Sequence, residues 1–390
     1  MAECISQACG DRPEDTSLLL LHYTLGHRLE QLLEVAKELC PNTQVAGCSG
    51  SGVVGQGWVS EAMRALAVMA VTGDEVHAVK VAGVTATTSR EQARACAASL
   101  KEALPATRML LLFGPGFNVD ARAIIDGVEE VFGRDVPIAG ALAAWCGKDL
   151  RTSVLLDDAG HDDGLLMVGL ADATLSLCQG SHHERSPLLE HPLTVTRGSG
   201  VRVDEFNGVP AWHALTDALG MPRESGPVEL GVLNAFGIAL PEAIHAEYAS
   251  KYILRSINTV REDGSVYFSC SVPVGTLMVP CQRDEERIFT GVDSLVRRLK
   301  DRVANRTLVA VFHADCIARG RMGHAVIEKT EIIERMQRPF VTGDIPFRLE
   351  QSGKVPWLGV YGAGEFAQLA GRNDYHHVTT SLSLLVRSVA

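Results

Sequence analysis

The residues that follow a buried strand in the second half of the chain could bind a charged ligand. The apolar run Leu308 to Phe312 predicts a strand, and His313, Cys316 and Arg319 come directly after it. Open α/β sheets gather ligand contacts at the carboxyl ends of their strands. An imidazole, a thiol and a guanidinium at that place predict a polar pocket. Each group also has an ordinary structural use, in a carbonyl bond, in core packing or in a surface ion pair.

A second group of polar residues lies in the C-terminal segment, where glycines alternate with functional side chains. Tyr361, Gly364 and Glu365 end an apolar run, and His376 and Thr379 come shortly after them. The glycines allow the backbone to bend sharply, which would bring these groups to one polar ligand. Caps and turn bonds are the alternative use. The hydroxyl triplet that begins at Thr379 is expected to face outward at the start of a strand.

The third candidate is a glycine-rich loop in the first half of the chain. Alternating glycines between positions 47 and 52 surround Cys48 and Ser49 after a predicted strand, so that backbone amides could face a ligand. The loop lacks the lysine of a P-loop, and a structural tight turn is the alternative. Cys48 or Cys316, with a histidine, would be the nucleophile of a cysteine-dependent transferase or hydrolase. The sequence assigns no base to either thiol.

The elements that must position these residues are visible in apolar patterns. A helical period predicts amphipathic helices at Leu29 to Leu39 and at Ile288 to Leu299. Unbroken apolar runs predict strands covered on both faces, and they occupy Leu18 to Leu21, Ala65 to Val71, Met109 to Phe113, Leu165 to Leu170, Leu308 to Phe312 and Trp357 to Tyr361.

A weak repeat runs through these elements. An apolar strand, an amphipathic helix and a short segment that ends in glycine occur three times, and the final segments are 44–47, 137–140 and 340–343. The simplest interpretation is one unit used again, with the glycine allowing close passage of the backbone. Ordinary alternation of helices and strands is the other interpretation.

Composition excludes several classes of protein. The net charge is −11, from 47 acidic and 36 basic side chains. Nucleic acid and anionic membranes need a concentrated positive face, so neither is an expected partner. The chain shows no apolar run of about 18 residues and begins with acidic residues rather than a signal sequence. We expect a cytoplasmic protein whose ten cysteines are reduced and mostly packed as small apolar groups.

Length and texture predict two domains. At 390 residues the chain is long for a single core. Between Gln179 and Gly208, turn-forming residues replace long helical periods, which indicates the crossing between two halves. The prediction is an α/β protein of two pseudo-repeated halves, residues 1–208 and 209–390, with mixed sheets covered by helices. The ligand site is expected between the halves and built mainly by the second.

The stretches that hold these candidates resemble a known family. They are Gly47-Cys48-Ser49, Tyr252 to Ile257, Phe312 to Gly320 and Gly359 to Phe366, with His376, Thr379, Thr380 and Ser381. They resemble the FIST family, the F-box and intracellular signal transduction proteins, across about Leu18 to Leu385. The Gly-Glu-Phe and Thr-Thr-Ser blocks are the most specific parts. The resemblance implies a FIST N-like domain over 1–208 and a FIST C-like domain over 209–390.

The resemblance implies a sensory module that binds a small-molecule ligand and is not an enzyme. Family members signal to histidine kinases, cyclic-di-GMP enzymes or ubiquitin-ligase machinery. The sequence shows no F-box, kinase or GGDEF-like stretch, so a separate partner such as a sensor histidine kinase or a cyclic-di-GMP enzyme is expected. This chain carries His182-His183-Glu184 where family members commonly have Cys-Arg-Pro.

One ligand that the resemblance implies is haem, because stand-alone bacterial members of this length include haem-binding sensors of nitric oxide. Such a sensor needs a neutral imidazole in an apolar pocket. His245, in a predicted helix, is the first candidate for the axial ligand, followed by His313 and His377.

The other ligand is an amino acid or a similar polar metabolite, held by Arg319, Glu365 and backbone amides. A fixed guanidinium suits a carboxylate, and a fixed carboxylate suits an ammonium. The low charge density also leaves apolar surface for a homodimer.

Overall fold

The chain folds as a mixed α/β protein, and the computed structural model describes it at residues 1–10, 13–146, 150–157, 159–189, 191–230, 234–342, 345–351 and 353–388. The helices in these ranges are α1 (Ala2–Cys9), α2 (Leu29–Leu39), α3 (Ser89–Ala103), α4 (Ala121–Phe132), α5 (Ala211–Leu219), α6 (Pro227–Leu230), α7 (His245–Tyr248), α8 (Glu285–Arg302) and α9 (Val326–Gln337).

The strands of the first half are β1 (Thr16–Tyr23), β2 (Gln44–Ser49), β3 (Val53–Gly55), β4 (Trp58–Ser60), β5 (Leu66–Thr72), β6 (Val76–Val81), β7 (Met109–Gly114), β8 (Ile138–Leu142), β9 (Val154–Leu156), β10 (Ala159–His161), β11 (Leu165–Leu170), β12 (Leu175–His182), β13 (Arg185–Pro187), β14 (Leu193–Ser199) and β15 (Arg202–Phe206). Those of the second half are β16 (Val209–Pro210), β17 (Phe236–Ala239), β18 (Tyr252–Arg255), β19 (Ile257–Val260), β20 (Val266–Phe268), β21 (Leu277–Arg283), β22 (Arg306–Cys316), β23 (Arg348–Leu349), β24 (Trp357–Gly362), β25 (Gly364–Leu369), β26 (Arg372–His376) and β27 (Thr380–Ser388).

One strand–helix–strand unit occurs three times. β1–α2–β2, β7–α4–β8 and β22–α9–β24 each contain a parallel strand pair joined by a helix. In each unit the first strand also pairs antiparallel with a later strand, which is β5, β11 or β27. The repeat predicted from the sequence is therefore a unit of the fold, with two copies in the first half and one in the second.

A glycine at one register position is common to the first two units. Gly47 lies opposite Leu21, and Gly140 lies opposite Leu112. A Cβ atom at either glycine would overlap the carbonyl oxygen of its partner. The close approach of the two backbones therefore requires glycine.

The third glycine lies elsewhere than predicted. Residues 340–342 lie in and after a short 3-10 turn at the end of α9, and Gly343 lies outside the described residues. The equivalent residue is Gly359, which pairs with His313 and whose Cβ would lie 2.9 Å from the His313 carbonyl oxygen. The connection between α9 and β24 includes β23 and is longer than in the other units, so spacing along the chain misplaces the glycine.

Replacing Gly47 with alanine is expected to lower the free energy of unfolding by about 1–3 kcal/mol, because the new methyl group has no room beside Leu21. Gly57→Ala is the control, since its φ of 78° strains alanine although nothing lies within 4 Å of the added Cβ. Urea unfolding measures both variants. Equal losses would contradict the steric explanation.

Strands from both sequence halves share three of the sheets. The strand orders are β10-β9-β2-β1-β5, β26-β25-β8-β7-β11-β6 and β12-β27-β22-β24-β3-β4, with β23 beside β22 in the last. A further sheet has the order β18-β17-β21-β14-β15-β20-β19, with β13 and β16 at its side. The six-stranded sheet takes β25 and β26 from the second half, and the seven-stranded sheet takes β3, β4 and β12 from the first. The sheet with the order that starts at β18 takes β13, β14 and β15 from the first half and its other strands from the second. The division between residues 208 and 209 stays a prediction. It does not separate the sheets, because strands from both sides of it lie in the same sheets.

The predicted apolar strands and amphipathic helices are confirmed, as is the mixed α/β fold class. Leu18 and Leu20 of β1 face a central core shared by the three units, while Leu19 and Leu21 pack on the side of α2. Each run is apolar without a break because alternate residues face two different cores. α8 buries its predicted face, which consists of Ile288, Val292, Leu295 and Leu299.

The hydroxyl triplet Thr379, Thr380 and Ser381 does not face outward, contrary to the prediction. All three residues are at most 1% exposed, because β27 lies inside its sheet between β12 and β22. The Thr380 hydroxyl lies 2.9 Å from Nε2 of His313, and the Ser381 hydroxyl lies 2.8 Å from that of Ser181.

The ten cysteines are free thiols, and eight of them are buried. Within the described ranges, no helix combines the length and the apolar character needed to cross a membrane.

Candidate functional site

The central residue of the site is Arg319, which a short 3-10 turn (Ile317–Arg319) directs inward after β22. Its Nε donates to Oδ1 of Asp315 over 2.8 Å, and its guanidinium contacts the carboxylate of Glu184. The three residues are at most 2% exposed. Burial lowers the pKa of Arg319 to about 10, so the group stays charged at neutral pH. The site is thus enclosed within the protein.

Glu365 lies beside this ion pair at the start of β25. The chain passes from the seven-stranded to the six-stranded sheet at Gly362–Gly364, and the Glu365 carboxyl that follows is fully buried. Neither oxygen has a hydrogen-bond partner of normal geometry among the described residues. Burial and the negative charge of Asp315 raise the pKa of Glu365 well above its ordinary value, which the nearby Cys316 thiol lowers only in part. The charge of Arg319 also lowers this pKa in part, but the raising effects are larger, so the carboxyl favours its neutral form.

Arg185 brings a second buried cation to the site. It follows Glu184 at the start of β13 and is 3% exposed. Its Nε and Nη1 have no hydrogen-bond partner among the described residues. Burial, with the nearby charge of Arg283, lowers the pKa of Arg185 to about 10, while Cys316 acts in the opposite direction. An anion would compensate this guanidinium.

His324 lies on the Glu184 side of the site. Its Nε2 is 3.5 Å from Oε1 of Glu184, and its Nδ1 is 3.7 Å from Oε2 of Glu328. Both distances exceed a normal hydrogen bond, and neither nitrogen is bonded within the described chain. Burial and the charge of Arg319 lower the pKa of His324 to about 4. The neutral ring can donate from one nitrogen and accept at the other.

Imidazole and phenol rings surround the other side of Glu365. His376 is directly opposite Glu365 in the β25–β26 pair, so the two side chains share a face. Nδ1 of His376 lies 3.1 Å from the Tyr248 hydroxyl, and its Nε2 has no partner among the described residues. Tyr248 meets His183 edge-on, with ring centroids 5.6 Å apart. Burial lowers the pKa of His376 to about 4 and that of His183 to about 3, so both rings are neutral.

Several residues predicted from the second half meet at this site. The N–H of Cys316 donates to the carbonyl of Thr379 over 3.1 Å. Burial, and then the charge of Asp315, raises the pKa of Tyr361 well above its ordinary value, and the charge of Arg319 opposes this effect. Gly364 contributes space rather than a contact, since a Cβ there would overlap the Tyr375 hydroxyl.

His313 lies at the edge of the site and bonds within its own sheet. Its Nε2 lies 2.9 Å from the Thr380 hydroxyl and 3.4 Å from Oδ2 of Asp315. Its Nδ1 accepts from the indole N–H of Trp357 over 3.4 Å. The ring therefore lies beside Oδ2 of Asp315, while Arg319 bonds Oδ1 of the same carboxylate.

Ser49 forms bonds within the first half. Its hydroxyl donates to the carbonyl of Ala144 over 2.9 Å and accepts from the N–H of Ser153 over 2.9 Å. The glycine loop that follows reaches the site through its backbone, since the N–H of Ser51 donates to the carbonyl of Tyr361 over 3.0 Å. The tight-turn interpretation describes this loop.

Cys48 has a histidine neighbour that the sequence did not reveal. Its Sγ lies 3.4 Å from Nδ1 of His22, and both residues are buried. Burial raises the pKa of Cys48 and lowers the pKa of His22 to about 4, so the pair rests as a thiol and a neutral imidazole. Burial also raises the pKa of Cys316 well above its ordinary value. A thiol nucleophile requires the opposite shift.

The three histidines considered for haem have bonded ring nitrogens. Nε2 of His245 lies 2.8 Å from the carbonyl of Leu240, and both nitrogens of His313 and of His377 have partners. In the described part of the chain, no group of three or more His, Cys, Asp or Glu residues is arranged to hold a metal ion. His313 and His377 thus have no ring nitrogen left for iron, whereas the single bonded nitrogen of His245 is compatible with an axial role, because a ligating imidazole usually donates its other N–H to an acceptor. Haem binding stays a prediction, which an absorption spectrum with added haem tests.

Sequence reasoning missed Glu184, Arg185, His324 and Tyr248 as members of the site. Glu184 belongs to the stretch His182-His183-Glu184, for which the resemblance implies Cys-Arg-Pro, and this difference was the available signal for it. Arg185, His324 and Tyr248 carried no such signal.

Two family models cover most of the chain. The FIST N domain matches residues 17–209, and the FIST C domain matches residues 211–368. The uncharacterized proteins Mb0898c of Mycobacterium bovis and MT0897 of Mycobacterium tuberculosis are each 27% identical over 199 residues, or 50% of this chain and 47% of theirs. The chain thus spans about half the length of the curated relatives it matches.

Among solved structures, a crystal structure of chorismatase aligns over 96% of this chain and 93% of that chain, with 9% identity and a TM-score of 0.32. A TM-score this low informs neither the fold nor the function. FIST domains are associated with signal transduction and small-ligand sensing. In this chain the FIST N match contributes Glu184 and Arg185 to the site, and the FIST C match contributes Arg319 and Glu365. The chain belongs to the FIST family.

Proposed function

We propose that this protein is a sensor that binds a small zwitterionic metabolite, such as an amino acid, in the enclosed site. Arg185 and Arg319 would hold the carboxylate of the ligand. Glu365 and Glu184 would hold its ammonium group. The bound state would be reported to a separate protein partner.

A buried guanidinium and a buried carboxyl carry this proposal. Nε and Nη1 of Arg185 lack hydrogen-bond partners among the described residues, and the Glu365 carboxyl has no partner of normal geometry beside the nearby Cys316 thiol and the Thr379 backbone. Buried polar groups in native proteins are nearly always bonded, and each unbonded group costs about 1–3 kcal/mol. A ligand with one carboxylate and one ammonium would satisfy both ends of the site. A purely apolar ligand would satisfy neither.

Binding rather than catalysis is the proposed role. The raised pKa values of Cys48 and Cys316 keep both thiols protonated, which disfavours nucleophilic chemistry. The association of FIST domains with signalling supports output through a histidine kinase or a cyclic-di-GMP enzyme. A cytoplasmic location and a homodimer belong to the same proposal.

Thermal unfolding in the presence of single α-amino acids tests the ligand class. At least one of them is expected to raise the Tm, whereas its amide and its deaminated acid are not. Arg185→Met is then expected to weaken that ligand roughly 30- to 150-fold, because a charge-assisted hydrogen bond contributes about 2–3 kcal/mol. Isothermal titration calorimetry measures the change.

Arg197→Met is the matched control, since Arg197 lies on β14 with a side chain 66% exposed. It should bind the ligand as the wild type does. The proposal fails if no zwitterion raises the Tm, or if Arg185→Met binds with unchanged affinity.

A further inference from the structure

The enclosed site requires a moving part if a ligand is to enter. Glu184, Arg319 and Glu365 are at most 2% exposed. The segment 317–325, which joins β22 to α9, carries Arg319 of the site and is exposed at Arg321, Met322 and Ala325. Arg319 and His324 of this segment are buried towards the site, whereas Met322 is 62% exposed. This segment therefore has one side in the site and the other side in solvent.

Glu61, which follows β4 in the first half, bonds this segment and keeps it in place. Both oxygens of its carboxylate accept from the backbone N–H of Arg321, over 2.9 and 2.8 Å. Its carboxylate also contacts Nζ of Lys329 on α9, and the two side chains are 4% and 7% exposed. Arg283 contacts the carbonyl of Gly323 in the same segment. The segment is thus tied down by charged side chains rather than by a sheet.

Glycines on two sides make room for Glu61. A Cβ at Gly320 would overlap Oε1 of Glu61, and a Cβ at Gly52 would overlap its Cγ. Gly52 belongs to the glycine-rich loop of the first half, and Gly320 belongs to the segment 317–325. The two halves therefore meet in a slot that fits this carboxylate.

We propose that the segment 317–325 is the gate of the enclosed site and that Glu61 is its latch. Glu61 is a positioning residue, since it acts through Arg321 and Lys329 on the segment that carries Arg319 and His324. A residue of the first half thereby controls how a ligand reaches site residues of the second half. The inference rests on the proposed function in one respect, namely that the enclosed site receives a ligand.

The thiol of Cys316 reports the opening of the gate without any ligand. Cys316 is 3% exposed, lies directly before the segment and is close to Glu365. Cys48 and Cys96 are fully buried in other parts of the protein and serve as internal controls. The full-length protein is treated with N-ethylmaleimide, and the labelling rate of each cysteine is followed by peptide mass spectrometry.

Glu61→Gln is expected to increase the labelling rate of Cys316 at least about tenfold, because the loss of one ion pair of about 1.4 kcal/mol raises the open population by that factor. The rates of Cys48 and Cys96 should stay unchanged. Lys329→Met removes the same ion pair from the other side and should act in the same direction, which covers the case in which Glu61→Gln does not fold.

Three outcomes would overturn the proposal. They are an unchanged rate at Cys316 in both variants, labelling of Cys316 in neither the wild type nor the variants, and a parallel increase at all three cysteines, which indicates global unfolding. If Cys316 responds selectively while no amino acid binds, the gate stands and the proposed ligand class falls. If amino acids bind and Cys316 does not respond, the gate falls alone.

Discussion

Replacing Arg319 with methionine is expected to lower the free energy of unfolding by about 3–5 kcal/mol, the cost of removing one partner from a buried ion pair. The change leaves the carboxylates of Asp315 and Glu184 in the interior without their guanidinium. Methionine has a similar volume, so the loss measures charge rather than a cavity. Urea unfolding followed by tryptophan fluorescence measures it.

Two further variants separate this explanation from a general weakness of the segment. Arg321→Met changes an exposed arginine two residues away and should cost far less. Adding Glu184→Gln to Arg319→Met should restore part of the stability, because one uncompensated charge disappears. Glu184→Gln is also measured alone. If it lowers the stability of Arg319→Met by as much as it lowers the stability of the wild type, the two groups are independent and the explanation is wrong.

Mild acid is expected to unfold the protein through six buried imidazoles. Burial lowers the pKa of His22, His324 and His376 to about 4, lowers that of His183 and His377 to about 3, and lowers that of His182 well below its ordinary value. Each folded pKa lies below the ordinary value of 6.5, so the unfolded state takes up protons first. The stability present above about pH 6.5 is therefore lost as the pH falls towards 4.

Glu365 opposes this loss. Its raised pKa means that the folded state holds a proton that the unfolded carboxyl releases, which favours the folded state as the pH falls. Six imidazoles against one carboxyl leave a net loss of about 6 kcal/mol per pH unit between about pH 6 and pH 5. A protein of this kind has a total stability of about 5–15 kcal/mol, so most of its free energy of unfolding is lost by about pH 5.

Urea unfolding at about pH 7, 6 and 5 measures the slope of stability against pH. His376→Gln removes one titrating ring and should reduce the slope by about 1.4 kcal/mol per unit. His245→Gln changes a half-buried ring whose Nε2 bonds a carbonyl and serves as the control. A stability that stays level from pH 7 to pH 5 would contradict the neutral state of the buried imidazoles.

The sequence predicted the chemistry of the second half because its signals are local. Arg319 follows an apolar strand, and Glu365 follows a glycine-rich bend, so each was expected at a strand end. The structure brings Arg319, Tyr361, Glu365 and Cys316 together. That they bind a ligand stays a prediction.

The sequence could not predict the partners from the first half. Glu61 bonds the backbone of Arg321 across 260 positions of the chain, and Glu184 reaches Arg319 from before β13. No periodic pattern links such distant residues, because their contact depends on the order in which strands pair. Arg185 was not predicted as a site residue for the same reason.

By itself the amino-acid sequence determined the strands, the helices and the repeated unit, since the spacing of apolar residues records which side of one element is buried. Only the tertiary structure decided which polar groups are enclosed together. Thr379 is buried because strands from distant parts of the chain flank β27, and Gly359 rather than Gly343 holds the third close approach. The neutral state of the buried imidazoles and of Glu365 has the same origin, because removal from water depends on the assembled sheets and not on neighbours in the chain.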